Sequence, residues 1–190
     1  FSGSGRILGS INGGGGINTL DYSDYDLGDS SGVVVNLLTG MATGVANGLA
    51  NKVQGIRNMI GSMFDDFLTG NNQDNRIDGL GGNDILAGGS GNDTYIFGDS
   101  WESATIVEAV SGGMDTLDFS GISFDLIFTL SSTGGSVAGD SRLVTYNGEV
   151  QEHFIGGSGD DTFIFLDKAV VQGSMDGRGG YNTLDYSGYE

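Results

Sequence analysis

The sequence contains no cysteine and no proline, and it has only seven Lys and Arg residues against 25 Asp and Glu among 190 residues. The absence of cysteine excludes a disulfide framework and thiolate metal sites. The formal net charge of −18 disfavours nucleic acid and anionic membrane surfaces, which attract Lys and Arg, and it favours cations as ligands. No apolar run approaches the roughly 18 residues of a membrane span. These absences predict a soluble, cation-binding protein.

The residues of enzyme chemistry are also scarce. The sequence has one histidine, His153, and neither a G-x-S-x-G motif nor a G-K-[ST] phosphate loop. A single histidine without cysteine disfavours zinc. Two pairs of adjacent acids, Asp65–Asp66 and Asp160–Asp161, have the composition of a glycosidase pair, but their place inside repeated turns explains them more simply. We therefore expect a protein that is not an enzyme.

Glycine is abundant, with 37 residues, and it separates short apolar runs. Hydrophobic residues make up 37% of the chain, so these runs provide a core, which favours an ordered all-β protein with tight turns over a low-complexity linker.

A nine-residue unit with an acid at position six and an apolar residue at position eight repeats four times over 61–96 and once more at 156–164. Position six is Asp66, Asn75, Asp84, Asp93 and Asp161, and position eight is Leu68, Ile77, Leu86, Tyr95 and Phe163.

Looser copies of the unit occur at 13–21, 110–118 and 177–185, each followed by an aromatic residue and serine. A longer repeat is also present, because 9–26 and 173–190 are identical at 12 of 18 positions and lie 164 residues apart. This predicts a tandem array with a unit of that length; the alternative is that both ends use one common coil type. The chain begins at Phe1 without methionine or a signal-like segment, which indicates a fragment of a longer protein.

The nonapeptides resemble the RTX, or haemolysin-type, calcium-binding repeats, whose pattern is GGxGxDxUx. GGSGNDTYI at 88–96 and GGSGDDTFI at 156–164 match every specified position, and the clear resemblance covers about a quarter of the chain. It implies a parallel β-roll in which equivalent turns recur every 18 residues and bind Ca²⁺. By position, the implied ligands are Asp66, Asp84, Asp93 and Asp161, the weaker Asn75, carbonyls at Gly61, Gly79, Gly88 and Gly156, and the neighbouring Asp65 and Asp160.

Physical chemistry supports this interpretation independently of the resemblance. Strands of three residues do not stand alone, but stacking them about 4.8 Å apart pairs their backbone groups and turns position eight inward. Stacking also places the acids of successive coils close together. Two carboxylates about 5 Å apart repel by about 3 kcal/mol at an effective dielectric constant of about 20, and a calcium ion between them reverses the sign.

The expected architecture is one continuous β-solenoid over 1–190. We expect wide coils with an insertion at 9–60, the tandem nonapeptide roll at 61–96, wide coils again at 97–155, and a nonapeptide turn followed by the next tandem unit at 156–190. Within 44–60 the apolar residues have near-helical spacing, which glycines interrupt, so the sequence leaves open whether a short helix forms there.

The predicted function is structural: a calcium-stabilised repeat of a secreted or cell-surface protein, such as an adhesin, a surface layer or an extracellular filament. Folding is expected to depend on calcium, and identical units are expected to associate head to tail, since solenoid ends are open. Two alternatives remain. In the first, the repeat is a polysaccharide-binding module. In the second, it is a calcium-triggered export and folding segment of a type I-secreted toxin or exoenzyme.

Overall fold

The computed structural model describes residues 2–3, 5–26, 28, 30–108, 112–147, 152–166 and 168–190. This part of the chain contains β-strands and a single turn of 3₁₀-helix at Ala46–Gly48, and it contains no α-helix. The strands are β1 Ser2–Gly3, β2 Ile11–Asn12, β3 Thr19–Asp21, β4 Asp24–Tyr25, β5 Val34–Asn36, β6 Met41–Ala42, β7 Val53–Gln54, β8 Asn58–Ile60, β9 Phe67–Asn71, β10 Arg76–Asp78, β11 Asn83–Gly89, β12 Thr94–Ile96, β13 Ser103–Ile106, β14 Thr116–Asp118, β15 Ile127–Ser131, β16 Gly134–Gly139, β17 Arg142–Asn147, β18 His153–Ile155, β19 Thr162–Leu166, β20 Met175–Asp176 and β21 Thr183–Gly188.

Most strands belong to two sheets that the chain visits alternately from β8 to β14. One sheet has seven strands in the order β20-β18-β14-β12-β10-β8-β3, and all of its pairings are parallel. The other has ten strands in the order β21-β19-β15-β16-β17-β13-β11-β9-β5-β6. Two further parallel pairs, β1 with β4 and β2 with β7, lie near the N-terminus. The prediction of an all-β chain with parallel strands is confirmed.

The strand register follows the nine-residue unit. Leu68 lies opposite Leu86 and Ile77 opposite Tyr95, so paired residues are 18 positions apart. Outside the tandem repeats the spacing widens, and Leu117 pairs with Phe154. There the ten-stranded sheet contains an inserted strand, β16, which pairs antiparallel with both β15 and β17. The sequence analysis did not anticipate this strand.

The apolar residues of position eight form the core. Leu68, Ile77, Leu86 and Tyr95 are at most 1% exposed, as strand alternation requires. Aromatic residues extend the core towards the C-terminal half, where Phe128 stacks on Phe163 with ring centroids 4.4 Å apart. Core residues from both sheets belong to one continuous cluster.

The segment 44–60 forms β7, β8 and the short 3₁₀ turn, so a regular helix does not form there. Gly48 and Gly55 have φ angles of +74° and +66°, which lie outside the helical region. A Cβ at Gly55 would also lie 2.9 Å from the main chain of Gly14. Tertiary pairing with β2 and β3 thus overrides the helical spacing of the apolar residues. In the described part of the chain, no helix has the length and apolarity to cross a membrane.

Candidate metal centre in the stacked turns

The buried polar residues of the described chain occupy one structural position. Eight polar or charged residues are buried, and all but Ser62 lie at position six of a unit or at its register equivalent. Each of these seven directly precedes a strand, except Asp84, which is the second residue of β11. Burying a carboxylate costs several kcal/mol unless it is paired and hydrogen-bonded. The concentration of buried acids at a single position therefore requires a specific arrangement. The seven residues are Asp66, Asn75, Asp84, Asp93, Asp115, Glu152 and Asp161.

Position-six side chains form a hydrogen-bonded ladder along the stack of turns. The Oδ1 atom of Asp84 accepts the main-chain N–H of Asp66 at 3.0 Å, and on the other side Oδ1 of Asp93 accepts the N–H of Asn75 at 2.7 Å. Each carboxylate therefore bonds the equivalent residue one coil earlier in the chain. The sequence predicted that these residues lie one coil apart, and the ladder shows this directly.

The ladder continues through residues that the sequence analysis did not select as site residues. Asp93 donates its N–H to Asp115 at 2.8 Å, Asp115 donates to Glu152 at 3.0 Å, and Asp161 donates to Asn182 at 2.9 Å. Asp115 and Asn182 hold position six of the looser units, so the sequence carried a signal for them. Glu152 follows no glycine motif, and only the register of β14 with β18 reveals it.

The second side-chain oxygen turns back onto the start of its own unit. Oδ2 of Asp66 accepts the N–H of Ser62 at 2.6 Å, and Oδ2 of Asp161 accepts the N–H of Gly157 at 2.9 Å. Asp93 differs, because its Oδ2 is buried and has no hydrogen-bond partner among the described residues. An unpaired, buried carboxylate oxygen is costly, and it is available to a cation.

The first glycine of each unit makes room for this oxygen. A Cβ at Gly61, Gly79 or Gly88 would lie 2.1–2.2 Å from a carboxylate oxygen of the same unit, and Gly70 and Gly156 have the same relation to Asn75 and Asp161. At Gly61 the carbonyl oxygen of Gly79, one coil later, also lies 2.7 Å from that point, and at Gly70 the carbonyl of Gly88 lies 2.2 Å from it. Side-chain and carbonyl oxygens of successive coils therefore converge over these glycines.

Position five forms a second ladder on the exposed side of the turns. Oδ1 of Asp65 accepts the N–H of Asn83 at 2.8 Å, and Oδ1 of Asp160 accepts the N–H of Tyr181 at 2.7 Å. The position-five carboxylates thus accept N–H groups of the following coil, whereas the position-six carboxylates accept N–H groups of the preceding coil. Asp65 and Asp160 are thus structural acceptors whose side chains remain in contact with solvent.

Burial raises the pKa of the acids at position six. The pKa of Asp84 rises to about 8 and that of Asp93 to about 7, mainly through desolvation and partly through the charges of Asp66 and Asp115. The pKa values of Asp66 and Asp161 are raised for the same reason, although main-chain N–H groups lower them in part. At neutral pH these turns therefore favour a bound proton or a cation.

The donor atoms fit a hard cation. Carboxylate, amide and carbonyl oxygens are the ligands of Ca²⁺, which takes six to eight of them. Among the residues that the structure describes, no group of three or more His, Cys, Asp or Glu side chains is arranged to hold a metal. Beside the position-six oxygens of Asp66 and Asn75, the carbonyl oxygens of Gly79 and Gly88 are further donor atoms of the kind that Ca²⁺ takes.

Comparison with known protein families agrees with this geometry. Residues 60–95 match the family model of the RTX calcium-binding nonapeptide repeat in four copies, one residue ahead of the units counted in the sequence. The comparison with curated proteins found no match. RTX nonapeptide repeats bind calcium, and the matched segment contains the position-six residues Asp66, Asn75, Asp84 and Asp93. Residues 60–95 are thus four tandem copies of the RTX calcium-binding nonapeptide repeat.

Proposed function

We propose that this chain is a non-catalytic structural repeat of a secreted or cell-surface protein, and that it forms a continuous β-solenoid that folds when it binds calcium. The observation that carries the proposal is the convergence, over the first glycine of a unit, of a position-six oxygen and a carbonyl oxygen from the next coil. The family match at 60–95 supports calcium as the ion.

The proposed ligands are the position-six side chains and the carbonyls of the first glycines. Asn75 is neutral, and its amide donates to the carbonyl of Arg57 at 2.8 Å, so its site is expected to be weaker. Asp65 and Asp160 are less favoured, because their oxygens already accept main-chain N–H groups on the exposed side. The full set is Asp66, Asp84, Asp93 and Asp161 with Asn75, and the carbonyls of Gly61, Gly79, Gly88 and Gly156.

The mechanism couples folding to the ion. Without calcium, each added coil brings another buried acid against its neighbour, and the charge of Asp66 accordingly contributes, in addition to burial, to the raised pKa of Asp84. Extracellular calcium modules have dissociation constants of about 10⁻⁴ to 10⁻³ M, so the ion fills such sites outside cells and leaves them empty at cytosolic concentrations. Binding free energy then becomes folding free energy. Adhesins, surface layers and extracellular filaments are the structural roles that fit this behaviour.

Calcium titration of the folding transition tests the proposal. At neutral pH we expect circular dichroism to show little β-structure in chelator and a folding transition at millimolar calcium. Asp84→Asn keeps an oxygen for the N–H of Asp66 but removes the charge, so it should shift the calcium midpoint upward by about tenfold, which corresponds to about 1.4 kcal/mol. Asp99→Asn removes one exposed charge and serves as the matched control. Equal shifts for both variants, or folding that is indifferent to calcium, would contradict the proposal.

A further inference from the structure

The two large sheets differ in the charge that their outward-facing residues carry. In the seven-stranded sheet, one outward-facing row crosses all seven strands in register, and aspartate and isoleucine alternate along it. The row consists of Asp21, Ile60, Asp78, Ile96, Asp118, Ile155 and Asp176. Carboxylates in this row are two strands, or about 9.6 Å, apart, so like charges do not lie directly opposite each other. This sheet therefore presents a charged surface to solvent.

The ten-stranded sheet presents an uncharged surface across eight adjacent strands, β5, β9, β11, β13, β15, β16, β17 and β19. On these strands the outward-facing residues flank residues of the buried core, and none of the outward-facing residues that the structure describes there is charged. We call this set of outward-facing residues the neutral face. Its longest row, in register order, is Val34, Phe67, Ile85, Thr105, Thr145, Ser136, Thr129 and Ile164. The adjacent row is Asn83, Ser103, Leu143, Ala138, Ile127 and Thr162.

The charge of the chain lies outside the neutral face. The chain has 25 Asp and Glu residues and a formal net charge of −18, yet the neutral face displays none of these acids. Asp65 and Asp160 are exposed, but they lie outside the strands, two residues before the first residues of β9 and β19. A centre depleted of charge with a polar margin is the usual anatomy of a protein–protein interface. The neutral face therefore has the charge distribution of a binding surface.

The neutral face also exposes large apolar side chains. Val34, Phe67, Ile85, Leu143 and Ile127 are between 38% and 50% exposed. The core of the protein is formed by residues on the opposite side of the same strands, so these five side chains do not contribute to it. Exposed apolar side chains that lie together on one surface mark a site where a partner binds.

The same face carries a protruding side chain and a hollow. Phe67 is the largest of the exposed apolar residues on it, and it is 50% exposed. Next to it in the row, an open hollow of about 460 Å³ has a lining that includes Ile85, Thr105 and Leu143. Asp84 also belongs to the lining, but it is only 4% exposed. Phe67 and the hollow are two strands, or about 10 Å, apart, so the face is complementary to a second copy of itself.

The neutral face is large enough for a stable interface. Eight strands spaced about 4.8 Å apart, with outward-facing residues about 6.8 Å apart along each strand, give a surface of roughly 700 Å². Each partner of a standard-size protein–protein interface contributes about 800 Å². Two neutral faces in contact therefore bury about as much surface as a specific dimer requires.

From these observations we propose that the neutral faces of two copies of this chain pack against each other around a two-fold axis, so that Phe67 of each copy fills the hollow of the other. The axis passes close to Ile85, which lies between Phe67 and Thr105 in the row. The charges favour a second copy as the partner, because two chains of net charge −18 repel each other where their acids meet, and the neutral face brings no acids together. The inference goes beyond the proposed calcium function and requires only that the chain be folded.

The contact lies on the face of a sheet and not at its edge strands. It is therefore independent of whatever precedes or follows these residues in a longer chain. Both copies use the same surface, so association closes at two copies. Sheets that pack face to face lie about 10 Å apart, and their facing side chains interdigitate. The exposed apolar residues of each copy are thus removed from water by the other.

Sedimentation velocity in millimolar calcium tests the interface. The wild-type chain should change from monomer to dimer as its concentration rises and should form no larger species. Thr105→Asp places a charge at the centre of the neutral face, so it should raise the dissociation constant of the dimer by about tenfold or more. Thr19→Asp is the matched control, because Thr19 is also an exposed strand threonine but lies in the seven-stranded sheet, and it should dimerise like the wild type. Circular dichroism in calcium verifies that each variant is folded.

Mixing two variants tests the register of the contact. Phe67→Lys places a cation against Thr105 of the other copy, so Phe67→Lys and Thr105→Asp should each be mostly monomeric where the wild type is dimeric. A mixture of the two should form a heterodimer, in which one Lys–Asp pair and one native contact replace two unfavourable contacts. Phe67→Lys mixed with Phe67→Asp is the control, because these two side chains do not face each other in the proposed dimer and should not restore it.

The outcomes separate this interface from the calcium function. A folded wild-type chain that stays monomeric overturns the interface and leaves the calcium function standing, whether or not it binds a neutral polysaccharide through the same face. Assembly that Thr105→Asp and Thr19→Asp weaken equally has the same consequence. Equal rescue of Phe67→Lys by Phe67→Asp and by Thr105→Asp overturns the placement of Phe67 in the hollow. A chain that does not fold with calcium overturns both proposals.

Discussion

The first glycine of a nonapeptide is required by a contact with the acid of its own unit. Gly88 is not among the residues with positive φ, but a Cβ there would lie 2.1 Å from Oδ2 of Asp93. We expect Gly88→Ala to displace the carboxylate, to weaken calcium binding and to lower stability by about 1–3 kcal/mol, the usual cost of overpacking. Gly98→Ala is the control, since its Cβ meets nothing within 4 Å. Calcium titration followed by thermal unfolding measures both variants, and equal behaviour would contradict the role assigned to the glycine.

Two buried tyrosines differ in whether their hydroxyl groups are used. The hydroxyl of Tyr95 accepts the N–H of Gly88 at 2.6 Å and donates to Glu108, whereas the hydroxyl of Tyr146 is buried without a partner in the described residues. Tyr95→Phe leaves both partners unsatisfied and should cost about 1–3 kcal/mol in the free energy of unfolding. Tyr146→Phe removes an unpaired polar group and should be neutral or stabilising. Denaturant unfolding in calcium distinguishes them, and a larger loss for Tyr146→Phe would refute this assignment.

At the residue scale, sequence patterns predicted the interior of the molecule well where the nonapeptide is intact. Successive side chains of a strand point to opposite faces, so the middle residue of each three-residue strand, position eight, points into the core. The nine-residue spacing identifies that residue in each unit. Glu108 and Glu152 were not predicted as site residues. Glu152 enters the position-six ladder through a wide coil. Burial raises the pKa of Glu108, which also lies close enough to Asp93 and Asp115 for their charges to raise it further. No fixed spacing in the sequence relates either residue to Asp93 and Asp115.

At the scale of the stacked turns, the raised pKa values determine how stability depends on pH. The folded-state pKa of Asp84, about 8, and that of Asp93, about 7, lie above the ordinary value of 3.8, because burial disfavours the charged form. The metal-free fold therefore binds protons more tightly than the unfolded chain does. The resulting stabilisation is complete below about pH 4 and is lost as the pH rises to about 8.

Thermal unfolding in chelator across pH 4 to 8 measures this effect. We expect the metal-free chain to show a melting transition at about pH 4, with a melting temperature that falls as the pH rises until little folded chain remains at neutral pH. Asp84→Asn should flatten this dependence because it removes one of the titrating groups. Calcium affinity should change in the opposite sense and weaken on acidification, since protons compete for the same oxygens. A metal-free melting temperature that increases with pH would contradict the burial of these acids in the folded state.

The elements were predictable to different extents for physical reasons. The 18-residue register of β9 with β11 and of β10 with β12 follows from two nine-residue units per coil. The antiparallel strand β16 was not predictable from this repeat, because a hairpin depends on local turn chemistry and carries no nonapeptide signal. For the segment 44–60 the sequence left the choice open, because strand pairing with β2 and β3, which overrides the helical spacing, depends on residues distant in the sequence.

At the scale of the whole molecule, the fold is built from contacts between successive coils. Within each of the two large sheets, strand pairing joins each strand to its neighbours, so the pairing contacts add along the sheet. Position-six hydrogen bonds follow the same direction. If calcium binds between successive turns as proposed, each ion would stabilise both turns, and each turn that forms would prepare the site for the next. The folded fraction is therefore expected to rise more steeply with calcium concentration than it would for binding to a single independent site.

The net charge of −18 allows specific calcium binding to be separated from general screening. At an ionic strength of 0.15 M the Debye length is about 8 Å, so monovalent salt already weakens repulsion between exposed acids but affects the buried ladder much less. In small-angle scattering, the metal-free chain should approach the unfolded radius of gyration, about 47 Å for 190 residues, and millimolar CaCl₂ should reduce it towards the compact limit of about 16 Å. NaCl at matched ionic strength should leave the chain expanded. Equal compaction by both salts would show that screening, rather than binding at the position-six oxygens, drives folding.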